Sequence, residues 1–476
     1  MKLIIDNIRC VLTDLTQSER NDIKSFLSKK DPRSGFVRGK FKAERVKTEK
    51  FYYENKAGIL FFTGLLKDLQ PFIKGRVTSV DNRITQFDYQ RDYTYEELRP
   101  YFDLRFEHVE HQIRTLQEML KRTKGTIKAI TSSGKTEIFL AFCKIIGLKT
   151  IIVAPKVDLA NQIYDRARKY GLDVGLMTGS KKSYNDELVC VSTPQMAVAL
   201  SDRDFDCVII DECHHAAANT YQDFLKKTKA KIIFGFSATP DTNDVDWLKI
   251  KQFCGDIISE VKADELLKHN VIVYPEINFI PIKQWNTPDW PTANDICIVH
   301  NEDRNLKIVE LCEKSEKPVL VLIRNIEHGE ELNRLIQDSI FLSGRDDNNF
   351  RDEVFKRYEN KEVPVLIGTM GILSEGISIN AIRTLIIAQG GKSEIIAAQS
   401  LGRALRRDGD EKQKAIIYEF YDIGNKFTEK HSLQRAKVYK EVGFPVNIEK
   451  GRYWDLLFLF ALYIIGTFKL IIEGKL

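Results

Sequence analysis

With 476 residues, 43% of them hydrophobic and 29% charged, the chain has the composition of ordinary soluble domains. It is longer than one hydrophobic core of about 250 to 300 residues sustains, which excludes a single compact domain and predicts two or three. A net charge of +5 is mildly basic, compatible with a polyanionic partner without requiring one. The eight cysteines contain no Cys-x-x-Cys pair, which excludes a zinc ribbon or an iron–sulfur cluster built on that spacing.

Residues 1–100 alternate short apolar runs, such as Leu3–Ile5 and Gly58–Phe62, with polar stretches, and predict a small α+β domain. No charged stretch followed by a long apolar one opens the chain, so a signal peptide is not expected and a cytoplasmic location is. Between Lys24 and Lys50, ten Lys or Arg residues stand against three acids, interleaved with Phe26, Phe36 and Phe41 and followed by Phe51, Tyr52 and Tyr53. Such a segment is either a solvated basic face or a nucleic-acid contact.

From about residue 101 to 270, short β-branched runs alternate with segments of helical period. Gly125–Ile130, Thr150–Ala154, Leu188–Val191, Cys207–Ile210 and Lys231–Phe236 read as strands of a parallel sheet covered on both faces. The pattern pauses between about 255 and 300, where Pro275, Pro281, Pro288 and Pro291 cluster with Trp285 and Trp290, and a linker is expected there. Over 271–450 a second series follows: Pro318–Ile323, Pro364–Ile367, Thr384–Ala388 and Lys414–Tyr418. The tail, 451–476, is apolar from Leu456 onward; it is borderline for a membrane span of about 20 residues, and burial against the body is favoured over an anchor.

The chemistry begins at Ala129, Ile130, Thr131, Ser132, Ser133, Gly134, Lys135 and Thr136, which follow a strand and open a helical pattern. This is the spacing of a Walker A loop with Ala129 in place of the first glycine. Successive backbone N–H groups and the helix N-terminus suit phosphate oxygens, Lys135 adds charge at the β and γ phosphates, and the Thr136 hydroxyl suits Mg²⁺. Further on, the strand at Cys207–Ile210 delivers Asp211 and Glu212 at its tip. One carboxylate suits Mg²⁺ and the other suits the attacking water, although an Asp-Glu pair after a strand can also be a plain helix cap.

At Asp211, Glu212, Cys213 and His214 the sequence resembles a superfamily 2 helicase of the DExH type, and the remaining motifs occur in that family's order. The resemblance covers roughly 105 to 435 and is nearest to the XPB and UvsW group, which includes phage branch-migration helicases. It implies two tandem RecA-like parallel-sheet motor domains preceded by the small α+β domain. It assigns Gln112 to adenine, with Thr131 to Thr136, Gly376 and Gln399 beside the nucleotide. Pro155, Lys156, Gln162, Thr178, Gly179, Thr193, Pro194 and Thr369 are assigned to the nucleic-acid backbone, and His214, Ser237 and Thr239 to coupling between the two sites. Arg304-Asn305, His328-Gly329 and the stretch from Gly368 to Ser378 fit the later motifs, with Ser378 where many relatives carry Asp.

Arg403 and Arg406 stand three residues apart within Gln399–Arg407, so they project from one helix face, and the resemblance makes them the finger pair that stabilises charge on the γ-phosphate. The family implies ATP and Mg²⁺ as cofactors, with Thr136 and Asp211 on the metal. The expected partner is branched or junction DNA, acted on by a monomer that unwinds or branch-migrates it in repair, recombination or replication, in a host cytoplasm if phage-encoded, with no stable membrane partner. A DExH RNA helicase, a double-stranded DNA translocase subunit and a degenerate binding module are the alternatives. Trp285 and Trp290 are candidates for a strand-separating wedge, or else packing anchors.

Overall fold

A computed structural model describes residues 1–31, 48–56, 58–103, 108–241, 244–369, 380–391, 405, 412, 414–442, 444 and 446–448. Residues Met1–Val271 form one compact unit and Ile272–Leu476 a second. The apolar tail and most of the basic segment lie outside the described residues, as do Gly376, Gln399, Arg403 and Arg406.

The first unit opens with strands β1 (Lys2–Ile5), β2 (Arg9–Thr13), β3 (Ser28–Lys30), β4 (Thr48–Lys50), β5 (Tyr53–Asn55), β6 (Gly58–Phe62) and β7 (Thr78–Asp81). Five of them form a mixed sheet in the order β5-β6-β2-β1-β7, and β3 pairs with β4. Its helices, Gln17–Phe26 and Leu66–Ile73, begin and end as local chemistry dictates. Thr16 and Glu19 close a reciprocal capping box on the first, and Leu66, Leu69 and Ile73 turn one stripe of the second into the core.

A seven-stranded sheet follows, built from β8 (Lys124–Ala129), β9 (Thr150–Val153), β10 (Val174–Met177), β11 (Val189–Ser192), β12 (Cys207–Asp211), β13 (Ile232–Ser237) and β14 (Ile257–Val261). Its order is β10-β11-β9-β12-β13-β8-β14 and every pair is parallel. The central strands are buried along their whole length, which is why they read as unbroken apolar runs.

One helix, Asp244–Cys254, joins the two sheets of this unit. Val245 completes the N-terminal core, while Ile250, Phe253 and Cys254 belong to the core of the parallel sheet, where Phe62 from β6 meets Phe253 at 4.3 Å. Lys251 on the same helix reaches Asp68 and Asp256, both at 2.7 Å.

The second unit is also an all-parallel sheet: β15 (Tyr274–Lys283), β16 (Val319–Ile323), β17 (Ser339–Leu342), β18 (Val365–Thr369), β19 (Thr384–Ile387), β20 (Lys414–Ile423) and β21 (Val446–Ile448), in the order β17-β18-β16-β19-β20-β15-β21. The stretch expected as a proline-rich linker holds the boundary between the two units, at Val271 and Ile272, but β14 and the ten-residue β15 occupy part of it. Pro275 and Pro281 are tolerated inside β15 because β21 pairs only with Ile277–Phe279, leaving both prolines with a ladder on one side among the described residues.

Arg304, Asn305 and His328 are buried in this unit. Arg304 donates to the Ala388 carbonyl at 2.6 Å, lies 3.3 Å from Asp422 and stacks over Phe420, while His328 meets Asn305 at 3.0 Å. Of the two tryptophans, Trp290 packs on His431 at 4.5 Å and Trp285 is 71% exposed.

Candidate functional site

Because every strand of the first parallel sheet runs the same way, all the loops after strand ends emerge along one edge, where open α/β sheets carry their ligands. The strand order divides that edge. The ends of β8, β13 and β12 bring together the phosphate-type loop, Ser237 to Thr239, and Asp211 with Glu212. The ends of β9, β11 and β10 carry Pro155 and Lys156, Thr193 and Pro194, and Thr178 and Gly179.

The loop after β8 turns through two left-handed residues, Ser132 at φ 71° and Gly134 at φ 78°, into the helix Lys135–Ile146. A β-carbon at 134 would also stand 1.8 Å from Gln112 Nε2, so that side chain would have to shift. Gln112 donates to the Ser133 carbonyl at 3.3 Å, and His111 Nε2 contacts the same oxygen at 2.9 Å. Burial holds the His111 imidazole below its ordinary value, so it is neutral, and a carbonyl partner requires the hydrogen on Nε2. The hydroxyls of Thr131 and Ser133 are buried with no hydrogen-bond partner among the described residues.

Lys135 Nζ lies 2.9 Å from Glu212 Oε1, with both side chains largely buried. Burial pulls the lysine down, but Glu212 and Asp211 outweigh it and hold the ammonium form. Glu212 sits at φ 49°, a left-handed turn that aims the carboxylate back toward the helix. Burial opposes its charge, and Lys135 together with His214 more than offsets that, so its carboxyl titrates well below the usual range. Asp211 is shifted the other way, to about 6, by burial and then by the adjacent Glu212 charge. The two neighbouring carboxylates are thus shifted in opposite directions.

His214 Nδ1 stands 3.3 Å from Glu212 Oε2 and 2.9 Å from Ser237 Oγ. The His214–Ser237 contact is a hydrogen bond whose direction follows the imidazole tautomer, and Ser237 Oγ accepts from the Thr239 N–H at 3.1 Å. A continuous polar chain thus runs from Lys135 through Glu212 and His214 to the turn after β13.

On the other half of the edge, Lys156 precedes the helix Val157–Lys169, which presents Gln162 to solvent, and Pro194 is the first residue of the helix Pro194–Ala199. Thr178 is buried and its hydroxyl accepts from the Lys181 N–H at 3.0 Å, so it braces the turn. Gly179 faces open space. Thr369 ends β18 in the second unit, beside Ile323. Sequence reasoning missed His111. The available signal was its spacing with Thr115 and Met119, which places His111 and Thr115 on the buried stripe of the helix Glu110–Leu120.

The donors fit a nucleotide with Mg²⁺: a glycine-gated cradle with orphaned hydroxyls, a lysine, and a carboxylate held at the end of a buried strand.

Two family models match the chain. One, described as type III restriction enzyme, res subunit, covers residues 97–242, and the other, described as helicase conserved C-terminal domain, covers residues 303–408; together they span more than half of the sequence. The first span holds the site residues from Gln112 to Thr239, and the second holds Thr369, Gly376, Gln399, Arg403 and Arg406. The chain is 24% identical over 303 residues to the ATP-dependent DNA helicase uvsW of Enterobacteria phage T4, which is 58% of this chain and 59% of that protein. It is 22% identical over 364 residues to the DNA 3'-5' translocase XPB2 of Sulfurisphaera tokodaii, covering 66% of this chain and 81% of the relative. In fold it resembles Saccharomyces cerevisiae Dbp5 bound to RNA and ADP BeF3, with a TM-score of 0.51, 16% identity and coverage of 75% and 93%.

Proposed function

Since the chain belongs to the superfamily 2 helicases, ATP-dependent enzymes acting on nucleic acid, we propose that it is a DNA helicase or translocase that unwinds or branch-migrates forked and junction DNA. The observation that carries the ATP-driven part is the polar chain from Lys135 through Glu212 and His214 to Ser237, which joins the phosphate-type loop to the turn after β13. The DNA part is supported by two relatives named for DNA.

In this reading, the loop from Thr131 to Thr136 wraps the phosphates through its N–H groups, with Lys135 leaving Glu212 to meet the nucleotide. Gln112 would face the adenine, and Thr136 and Asp211 would hold Mg²⁺, which would supply charge neutralisation for the phosphates. Glu212, released from Lys135, orients the attacking water and accepts its proton. His214 passes the change in Glu212 to Ser237 and Thr239, and the turns at Pro155, Lys156, Gly179, Thr193 and Thr369 hold the strand by its phosphates, without reading bases. The resemblance assigns Arg403, Arg406, Gly376 and Gln399 to the nucleotide as well; these four lie outside the described residues.

ATP hydrolysis measured with no nucleic acid, single-stranded DNA, duplex, four-way junction and RNA, for the wild type and Lys135→Ala, tests this. Strong stimulation by the junction that the variant abolishes supports the proposal. Stimulation by RNA alone makes the protein an RNA helicase, and no hydrolysis under any condition rejects the motor.

A further inference from the structure

We propose that His108, Glu110 and His269 form a binding site for a first-row transition-metal ion, zinc in the first instance, separate from the nucleotide-linked Mg²⁺ position and independent of the DNA reading. Their donor atoms all lie within 4.8 Å of one another, although His269 is more than 150 residues away in sequence. His108 Nδ1 is 3.7 Å from Glu110 Oε1, and the two imidazole rings are centred 4.8 Å apart.

Zinc holds imidazole nitrogen at about 2.0–2.1 Å and carboxylate oxygen at about 2.0–2.2 Å, so a tetrahedral site needs donors about 3.3 Å apart. The cluster must draw in by about 1.5 Å at most. Rotamer adjustment supplies that, because the His108 and Glu110 side chains are 45% and 48% exposed.

The backbone beneath the cluster is already fixed. Glu110 opens the helix Glu110–Leu120 and His269 follows the helix Ala263–Lys268. Arg114, one turn on from Glu110, grips Glu265 through two hydrogen bonds of 2.8 and 2.9 Å and also reaches the Glu260 carbonyl at 3.2 Å. Thr115 meets Ser259 at 2.8 Å on the buried side of the same helix. A scaffold clamped at several points presents its ligands without first having to be ordered.

Donor chemistry selects the ion. Two imidazoles with one carboxylate favour zinc, nickel or copper, whereas Mg²⁺ and Ca²⁺ seek oxygen-only shells. The helix that begins at Glu110 also carries His111 and Gln112, so an ion bridging Glu110 to His269 stiffens the element that holds the Ser133 carbonyl.

Calorimetric titration of the full chain with Zn²⁺, without nucleotide and in excess Mg²⁺, tests the site. One saturable equivalent is expected, with a rise in melting temperature, and His108→Ala and His269→Ala should each weaken binding about tenfold or more while leaving the metal-free melting temperature unchanged. His300→Ala, which removes an exposed histidine flanked by Asp295 and Glu327 at 3.5 Å, should bind as the wild type does. No stoichiometric binding, or equal weakening in all three variants, overturns the proposal.

Discussion

The ammonium of Lys135 and the carboxylate of Glu212 form a largely buried ion pair of 2.9 Å that ties the start of the helix after β8 to the end of β12. Each group is the other's principal counter-charge, so the pair keeps both ionised in a place where either alone would be costly. In the proposed mechanism a triphosphate would supply a second partner for the lysine and free the acid.

Lys135→Ala is expected to lower ATP hydrolysis by about a hundredfold or more. It should also lower the melting temperature, because Glu212 loses its nearest cation. The double variant Lys135→Ala, Glu212→Gln should regain part of that stability and none of the activity, as read by thermal unfolding beside an ATPase assay. A double variant no more stable than the single one would mean that the ion pair does not hold the loop.

Gly134→Ala carries two penalties that a double mutant separates. A left-handed φ of 78° costs an alanine about 1–2 kcal/mol, and the new methyl group displaces Gln112. Gln112→Ala in the same chain removes the collision and leaves the backbone cost, so the double variant should melt at a higher temperature than Gly134→Ala, as read by thermal unfolding without nucleotide. Equal melting temperatures would show that Gln112 moves aside freely.

Ser237→Ala breaks the polar chain at its last side chain while leaving Lys135, Glu212 and His214 in contact. DNA-stimulated hydrolysis should stay within about threefold of the wild type and strand separation should fall about tenfold, a gap of about 1.4 kcal/mol or less in coupling. A proportional loss of both would place Ser237 in hydrolysis itself.

Phe253→Ala removes the ring against which Phe62 packs from the neighbouring sheet, and should destabilise the first unit by about 3–5 kcal/mol in chemical denaturation. A cost under about 1 kcal/mol would mean that the N-terminal sheet rests on the helix Asp244–Cys254 without packing into it.

Lys251→Met gives the same interface a pH signature. Burial raises the Asp256 carboxyl, but Lys251 and Lys67 outweigh it, so Asp256 titrates below its ordinary value of 3.8. A depressed carboxylate contributes stability that is present above its unfolded value and lost as pH falls through the folded one. The wild type should therefore be more stable than Lys251→Met at neutral pH, and the difference should shrink below about pH 4. A constant difference down to pH 2 would assign it to packing of the lysine stem.

Several parts of this fold were legible because a strand buried on both faces has to be apolar throughout. Cys207–Asp211 and Val319–Ile323 announce themselves for that reason. The strands that escaped notice have physical reasons to be faint. Among the described residues, Val174–Met177, Ile257–Val261, Ser339–Leu342 and Val446–Ile448 are the outermost strands of the two parallel sheets, each with a strand neighbour on one side and a weaker apolar signature. Tyr274–Lys283 was hidden by two prolines that its one-sided pairing accommodates.

The sequence by itself determined which chemistry is present: a glycine and lysine after one strand, two carboxylates after another, and hydroxyls after several more. It could do so because short motifs act through local geometry, a turn into a helix N-terminus or the last residue of a strand. Tertiary structure alone decided which of them meet. Lys135 and Glu212 are 77 residues apart, His214 and Ser237 are 23 apart, and only the order β9-β12-β13-β8 brings them to one edge. His111 under the Ser133 carbonyl, the hydroxyl of Thr178 turned inward, and Phe253 shared between two sheets are likewise consequences of packing, which selects among residues that local pattern leaves equivalent.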